Sequence, residues 1–393
     1  MISGGLFQFY IPTTIIFGRG QIKNLHKCEL PGRKALIVIT NGRSTRANGY
    51  LESVKQELRL SGVDYAVYDK VASNPVTENI AEGAAAARSE QCDFVIGLGG
   101  GSSIDAAKAI ALMSVNEGSV WDYISSGSGK GLPVKNRPLP VIAVTTTAGT
   151  GSEANSAFVV TNSETNEKIG MYLKELFPVI SVVDPELMTT VPPKFTAFQG
   201  FDALFHSTEG FISNKANRMS DLVSAAAIEL IGTNLAAAVK YGNDLDARER
   251  VAFASTLSGI QLAIGSLTSA HSLEHAMSAY HPDLPHGAGL VLISVAYYKR
   301  FINVPELRER FIRMAKAMGY GNAFEPADFI KALENLISDC GLAELSMSEY
   351  GISRDEFKLF AANAKSAMGS KFLNDYVMLS EEDCVKIYEA SYK

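Results

Sequence analysis

The first half of the chain alternates two hydrophobic patterns. Short, nearly continuous apolar runs at Lys34–Thr40, Asp64–Tyr68, Asp93–Leu98 and Pro140–Val144 are separated by amphipathic stretches at 50–60 and 79–89. Apolar runs of strand length predict strands buried on both faces, and helical stretches between them predict a parallel sheet covered on each side. After Val182-Val183-Asp184-Pro185 the strand signal fades. The segments 222–239, 247–264, 304–318 and 325–342 then place apolar residues at helical spacing, and Ser380-Glu381-Glu382-Asp383 reads as a capping box opening a last helix. The pattern predicts an α/β amino-terminal domain with a parallel sheet over 1–190. A break at Val191-Pro192-Pro193 precedes an all-α domain over 191–393.

Composition narrows the class. A chain of 393 residues has ample length for two cores, and 47% hydrophobic with 20% charged residues describes an ordinary soluble protein. The net charge is −6 and no basic run occurs, so nucleic acid is not an expected partner. Met1–Gly20 lacks a basic segment ahead of an apolar core, and no apolar run looks long enough to cross a bilayer, so no membrane partner is expected. Cys28, Cys92, Cys340 and Cys384 are scattered without a CxxC pair, which suits reduced thiols in the cytoplasm.

The chemistry concentrates in the second half. Five of the six histidines, His206, His271, His275, His281 and His286, fall between 206 and 286. Asp202 and His206 are four apart, as are His271 and His275, a spacing that puts each pair on one helix face. A carboxylate with several imidazoles is an ordinary ligand set for a divalent transition metal. Any one of these histidines would pass for a core or surface residue; their concentration carries the information.

The first half holds two polar turns. In Phe94-Val-Ile-Gly-Leu-Gly99-Gly100-Gly101-Ser102-Ser103-Ile104-Asp105, a strand runs through three glycines into a helix. Such a turn lets backbone approach a phosphate at a helix amino terminus, where free N–H groups and the positive dipole end lie. The bland alternative is a tight turn with Ser102 or Ser103 as helix cap. Thr145-Thr146-Thr147-Ala148-Gly149-Thr150-Gly151-Ser152-Glu153 follows the next strand. Two such turns on adjacent strands suit a dinucleotide.

These motifs, in this order, resemble the iron-containing (group III) alcohol dehydrogenases of the dehydroquinate-synthase-like fold. The resemblance spans nearly the whole chain: the segment Phe7–Gly20, the glycine turn with Asp105 and Lys108, the threonine turn, Asp184-Pro-Glu-Leu187, Gly200-Phe-Asp202-Ala-Leu-Phe-His206, HxxxH at 271–275, and Pro285-His286-Gly287. It implies that Asp202, His206, His271 and His286 hold Fe2+, with Zn2+ as the competing ion. It further implies that His275 stands near the nicotinamide as a proton relay and that Lys168 reaches the cofactor ribose region. The cofactor set is then Gly99, Gly100, Gly101, Ser102, Asp105, Thr146, Thr147, Thr150 and Lys168. The interval from His275 to His286 is one residue longer than the usual pattern, which leaves His281 as an alternative ligand to His286.

The expected reaction is hydride transfer between NAD(P) and a small alcohol or aldehyde. After the first sheet strand the chain reads Asn41-Gly42-Arg43-Ser44-Thr45-Arg46, with no carboxylate before Glu52. An acidic residue would bind ribose hydroxyls and repel a 2′-phosphate. Its absence, with Arg43, Ser44 and Arg46 at hand, favours NADP over NAD. The apolar segment Phe7–Phe17 is expected to pair across a two-fold axis in a homodimer, as in dimers of that family. Two other readings compete. His271-Ser-Leu-Glu274-His275 spells the HxxEH string of a zinc metalloprotease, with Glu274 as base where the dehydrogenase reading makes it a solvated helix residue. A non-catalytic nucleotide-binding protein of the same fold is the other.

Overall fold

The computed structural model describes residues 7–393. The chain forms two compact units, one over 11–190 and one over 191–393 that also takes in residues 7–10.

The first unit is built on a six-stranded, wholly parallel sheet of β1 (Thr14–Phe17), β2 (Lys34–Thr40), β3 (Asp64–Val71), β4 (Phe94–Gly99), β5 (Val141–Thr145) and β8 (Ile180–Val183), in spatial order β1-β8-β5-β4-β2-β3. Its core is the set of side chains the apolar runs predict, including Leu36, Ile37, Ile39, Val95, Ile96, Ile142 and Val144, all fully buried. Helices α1 (Ser44–Ala47), α2 (Tyr50–Leu60), α3 (Thr77–Ser89) and α4 (Gly101–Met113) connect the strands. Because β3 lies to one side of β2 while β4 and β5 lie to the other, strand order reverses between β2 and β4. Ligands of open α/β sheets settle beyond the carboxyl ends of strands at such a reversal. The antiparallel hairpin of β6 (Ala157–Asn162) and β7 (Glu167–Tyr172) carries no sequence signal of its own, since it is short and mixed in polarity.

In the expected strand at 7–17 only Thr14–Phe17 is β structure, paired in parallel with β8. Phe7, Phe9 and Tyr10 stay exposed.

The second unit is helical: α5 (Pro193–Ile212), α6 (Arg218–Lys240), α7 (Leu245–Ile264), α8 (Ser269–Tyr280), α9 (His286–Lys299), α10 (Arg308–Ala317), α11 (Ala327–Asp339), α12 (Phe357–Met368) and α13 (Glu381–Ser391). Proline at the first helical position starts α5, and the Ser380–Asp383 capping box opens α13 as the sequence predicts. One expectation fails. By length and composition α6 is apolar enough to cross a bilayer. Its hydropathy comes mainly from Leu222, Val223, Ile228, Leu230, Ile231, Leu235 and Val239, while Ala225 to Ala227 and Ala236 to Ala238 permit close packing against α5 and α7. At Gly232 a Cβ would sit 2.7 Å from the Met318 backbone, and Asp221 on the same helix forms a buried two-pronged ion pair with Arg310. It is a core helix of this unit.

Candidate functional site

Helices α5, α8 and α9 bring one carboxylate and three imidazoles together inside the helical unit. Asp202 and His206 lie one turn apart on α5, His271 lies near the start of α8, and His286 is the first residue of α9, after Pro285. The Nε2 atoms of His206, His271 and His286 stand 3.5, 3.6 and 3.5 Å from Asp202 Oδ1. Those separations are too long for good hydrogen bonds. They match ligands that share an ion, since two atoms each about 2.1 Å from a tetrahedral metal are roughly 3.4 Å apart. Asp202 Oδ1 and His271 Nε2 are buried without a hydrogen-bond partner, a costly condition unless something else meets them. His206 and His271 also stack, with ring centroids 4.6 Å apart.

Two further carboxylates brace the imidazoles from behind. Glu209, two turns after Asp202 on the same face of α5, meets His271 Nδ1 at 2.5 Å. Glu274 on α8 holds His286 Nδ1. Both glutamates are fully buried. A carboxylate on Nδ1 fixes the tautomer and leaves Nε2 to face the cluster. The sequence reading of Glu274 as a solvated residue is therefore corrected: its neighbour Gly289 makes the room, since a Cβ there would lie 2.8 Å from the Glu274 side chain. Gly287 lets α9 approach α5, where a Cβ would meet the Phe198 carbonyl oxygen at 2.1 Å. The glycines of Pro285-His286-Gly287-Ala288-Gly289 were the available signal for this packing.

The electrostatics ask for a cation. Burial opposes ionisation of Asp202, yet the imidazoles of His206 and His286 hold its carboxyl well below the usual range. Burial likewise opposes a charge on His271, but Glu209 and Asp202 push its pKa up to about 10. Such a site attracts positive charge strongly, and a divalent ion meets that demand while leaving His271 neutral. The donor set, one carboxylate oxygen and three imidazole nitrogens without a thiolate, fits iron(II) or zinc.

His275 lies one turn beyond His271, buried, with its ring centroid 5.3 Å from that of His286. His281 is elsewhere: its Nε2 pairs with Glu356 at 2.8 Å and its ring packs on Phe360.

In the α/β unit the two polar turns pack directly on each other. The amino terminus of α4 has Gly100 as its cap residue and no side-chain cap, so neither Ser102 nor Ser103 fills that role. A Cβ on Gly100 would lie 3.0 Å from the Thr147 side chain, and one on Gly101 would lie 2.4 Å from that of Thr150. Gly99 has φ +142°, a conformation reserved for glycine. Thr146 donates its N–H to the Gly99 carbonyl at 3.0 Å. Ser102 Oγ donates to the carbonyl of Ser73, and Lys168 Nζ donates to Asn74 at 3.2 Å. The loop at 73–74 thus gathers Ser102 and Lys168 beside the two turns.

The chain-wide comparisons agree with this geometry. The sequence profile of the family described as iron-containing alcohol dehydrogenase matches residues 12–185, and that of the carboxyl-terminal domain of the Fe-containing alcohol dehydrogenase family matches 196–392. The chain belongs to the iron-containing alcohol dehydrogenases. It is 34% identical to 1,3-propanediol dehydrogenase of Klebsiella pneumoniae over 92% of this chain and 93% of that one. It is 32% identical to NAD-dependent methanol dehydrogenase of Bacillus methanolicus, over 91% and 93%. The solved structure of an archaeal halo-thermophilic alcohol dehydrogenase from a Red Sea brine pool superposes with a TM-score of 0.93 at 32% identity, over 98% and 99% of the two chains. The chain is accordingly a metal-dependent alcohol dehydrogenase, exchanging hydride between a nicotinamide dinucleotide and an alcohol or its aldehyde.

Asp105, Arg43 and Ser44 take up defined positions in the α/β unit. Asp105 directs its carboxylate inward: Oδ1 accepts from Ser152 Oγ at 2.5 Å and Oδ2 from the N–H of Val159 at 2.9 Å. It ties α4 to the second turn and to β6. Beside it Lys108, fully buried, donates to Ser152 O and Oγ and to Ala157 O, each at 2.7 Å. Arg43 and Ser44 follow β2, and Ser44 opens α1. Both are exposed at the carboxyl end of β2, and Arg43 lines an open pocket of about 440 Å³ with Thr40, Asn41, Gly42, Arg46, Ala47 and Asp69. Asp69, at the end of β3, is the carboxylate that reading the β2 loop alone misses; it pairs with Arg46.

Proposed function

We propose that Asp202, His206, His271 and His286 hold the metal, that His275 relays the proton, and that the two polar turns with Lys168 take the dinucleotide. The convergence of three Nε2 atoms on one buried carboxylate oxygen, two of them braced by glutamates, carries this reading. When bound there, the ion would supply Lewis acidity and the dinucleotide a hydride acceptor. The protein's own residues hold the imidazoles in one tautomer, exclude water by burial, and place His275 where it can pass a proton at an imidazole nitrogen. His275→Ala is expected to keep its metal, slow turnover and flatten the alkaline side of the pH–rate profile. Loss of the metal in that variant would move His275 into the ligand set. A peptidase reading gains no support, because Glu274 is occupied with His286.

The family description favours iron(II), and we take zinc as the competitor that this ligand set does not reject. The relatives do not decide the nucleotide. A methanol dehydrogenase named as NAD-dependent is 32% identical, and an NADPH-dependent butanol dehydrogenase of Clostridium saccharobutylicum is 29% identical. Two guanidiniums against one carboxylate at the β2 end support NADP, and Asp69 tempers that preference. The ratio of kcat/KM for the two cofactors tests it: NADP is expected to lead, and Asp69→Asn to widen the lead. A wild-type preference for NAD would remove the proposal. The substrate class is a small alcohol, diol or aldehyde. Scattered free thiols support a cytoplasmic site. Exposed Phe7, Phe9 and Tyr10 support a homodimer, which light scattering would check.

A further inference from the structure

The helical unit buries one more carboxylate that the chemistry above leaves unused. Asp375 follows the turn Gly369–Asn374 and is 6% exposed. Its Oδ1 accepts the N–H of Ser269, the first residue of α8, at 3.2 Å and the hydroxyl of Tyr297 on α9 at 3.1 Å. Its Oδ2 is buried without a partner. Thr268, the residue before, gives its N–H and hydroxyl to Glu209 Oε2 at 3.1 and 3.0 Å. Glu209 is the residue that holds His271. Two buried carboxylates therefore grip successive residues at the start of the helix that carries His271 and His275.

The segment around Asp375 inverts the usual surface pattern. Leu373, Tyr376, Val377 and Met378 are exposed, while Asn374 and Asp375 point inward. Asn374 Nδ2 donates to Ser266 Oγ at 2.7 Å and to Leu267 O at 2.8 Å. Asn214, after α5, adds bonds from Nδ2 to the carbonyls of Leu373 and Asp375 and from its N–H to that of Asn374, so polar contacts to the chain after α5 and around the start of α8 hold this segment. A charge here is expensive. Burial raises the Asp375 pKa to about 7 against the hydrogen bonds from Ser269 and Tyr297, and the Glu209 charge adds to the rise. For stability alone asparagine would serve better, because it would accept the same N–H without leaving a buried charge.

We infer that Asp375 is a positioning residue of the metal centre, fixing the first turn of α8 from behind and adding negative charge that favours a divalent cation. This rests on the assignment of Asp202, His206, His271 and His286 as ligands. The test uses full-length protein stripped with chelator, Co2+ as the probe, affinity by chelator competition, and the melting temperature of the metal-free form. Asp375→Asn is expected to bind Co2+ about 10-fold more weakly, with a metal-free melting temperature equal to or above wild type. Unchanged affinity overturns the inference. So does a lowered metal-free melting temperature, which would mark a merely structural role. Should Asp375→Asn fail to fold, Tyr297→Phe removes one of the two donors and keeps the ring. It is expected to weaken Co2+ binding about 3-fold, and equal binding would overturn the inference on its own. The ligand assignment is judged separately: it fails if wild type does not bind Co2+ or if His271→Ala binds it as well as wild type.

Discussion

The two sites of this dehydrogenase are built on opposite principles. In the α/β unit the proposed recognition surface is backbone. A Cβ on Gly101 would overlap the Thr150 side chain and one on Gly100 would press on that of Thr147, and the ligand is expected to meet N–H groups at a helix amino terminus. In the helical unit the site is side chain upon side chain: a carboxylate, three imidazoles, and buried glutamates that orient two of them. A backbone site fails when something is added. A side-chain site fails when something is removed.

The largest effects should follow from removal in the helical unit. His206→Ala or His271→Ala is expected to abolish stoichiometric metal and lower alcohol oxidation at least about 1,000-fold, with the α/β unit still folded. Elemental analysis and circular dichroism check the two halves of that statement. Next come the bracing residues. Glu209→Gln and Glu274→Gln keep the shape but weaken the hold on the tautomer, and each is expected to lower metal affinity about 10- to 100-fold. A glutamine variant at 274 that binds metal normally would return Glu274 to the status of an ordinary helix residue.

Addition in the α/β unit should cost less and strike elsewhere. Gly100→Ala pushes a methyl into Thr147, so it is expected to lower stability by about 1–3 kcal/mol. It should also raise the cofactor KM, leaving metal content intact. Thr147→Gly in the same chain should restore part of the stability. Equal loss of metal in Gly100→Ala would erase the contrast between the two sites.

A smaller effect concerns the clamp under the second turn. Burial lowers the Lys108 pKa from 10.5 to about 8, against the opposing charges of Asp105 and Glu153. The unfolded chain then binds more protons than the folded one between those values. Stability is expected to rise as pH increases from about 8 to 10, by on the order of 3 kcal/mol, and to change little from this group below 8. Denaturant titrations at several pH values should show the slope in wild type and its loss in Lys108→Met. The smallest effect is assigned to His281→Ala, which is expected to keep its metal and lose less than about 1 kcal/mol through its contact with Glu356.

This difference also explains what the sequence made legible. Strands such as Lys34–Thr40 and the helix Tyr50–Leu60 have the predicted bounds because continuous apolar runs and amphipathic periodicity speak for themselves. The side chains that converge on Asp202 were readable because histidine is rare and its spacing helical. Glu209 and Glu274 were not, because a glutamate on a helix is ordinary until packing buries it against an imidazole. The bonds of Asp105 to Ser152 and Val159 were equally hidden, because its place in a glycine-turn motif says nothing of the second turn that packs on it. Asp69 was overlooked because it belongs to β3, and only the parallel pairing of β2 with β3 sets it beside Arg46. The hairpin β6–β7 and the inward turn of Asp375 are tertiary outcomes with no local pattern.

The central claim is that four side chains of the helical unit share one ion. Anomalous diffraction at the iron edge from iron-loaded crystals of the whole chain tests it most directly. The account predicts a single peak about 2.1 Å from Asp202 Oδ1 and from Nε2 of His206, His271 and His286. Asp202, His271 and His286 cluster closely enough to hold a metal, and so do Glu274, His275 and His286. A peak on the latter set, or on His281, would contradict the assignment.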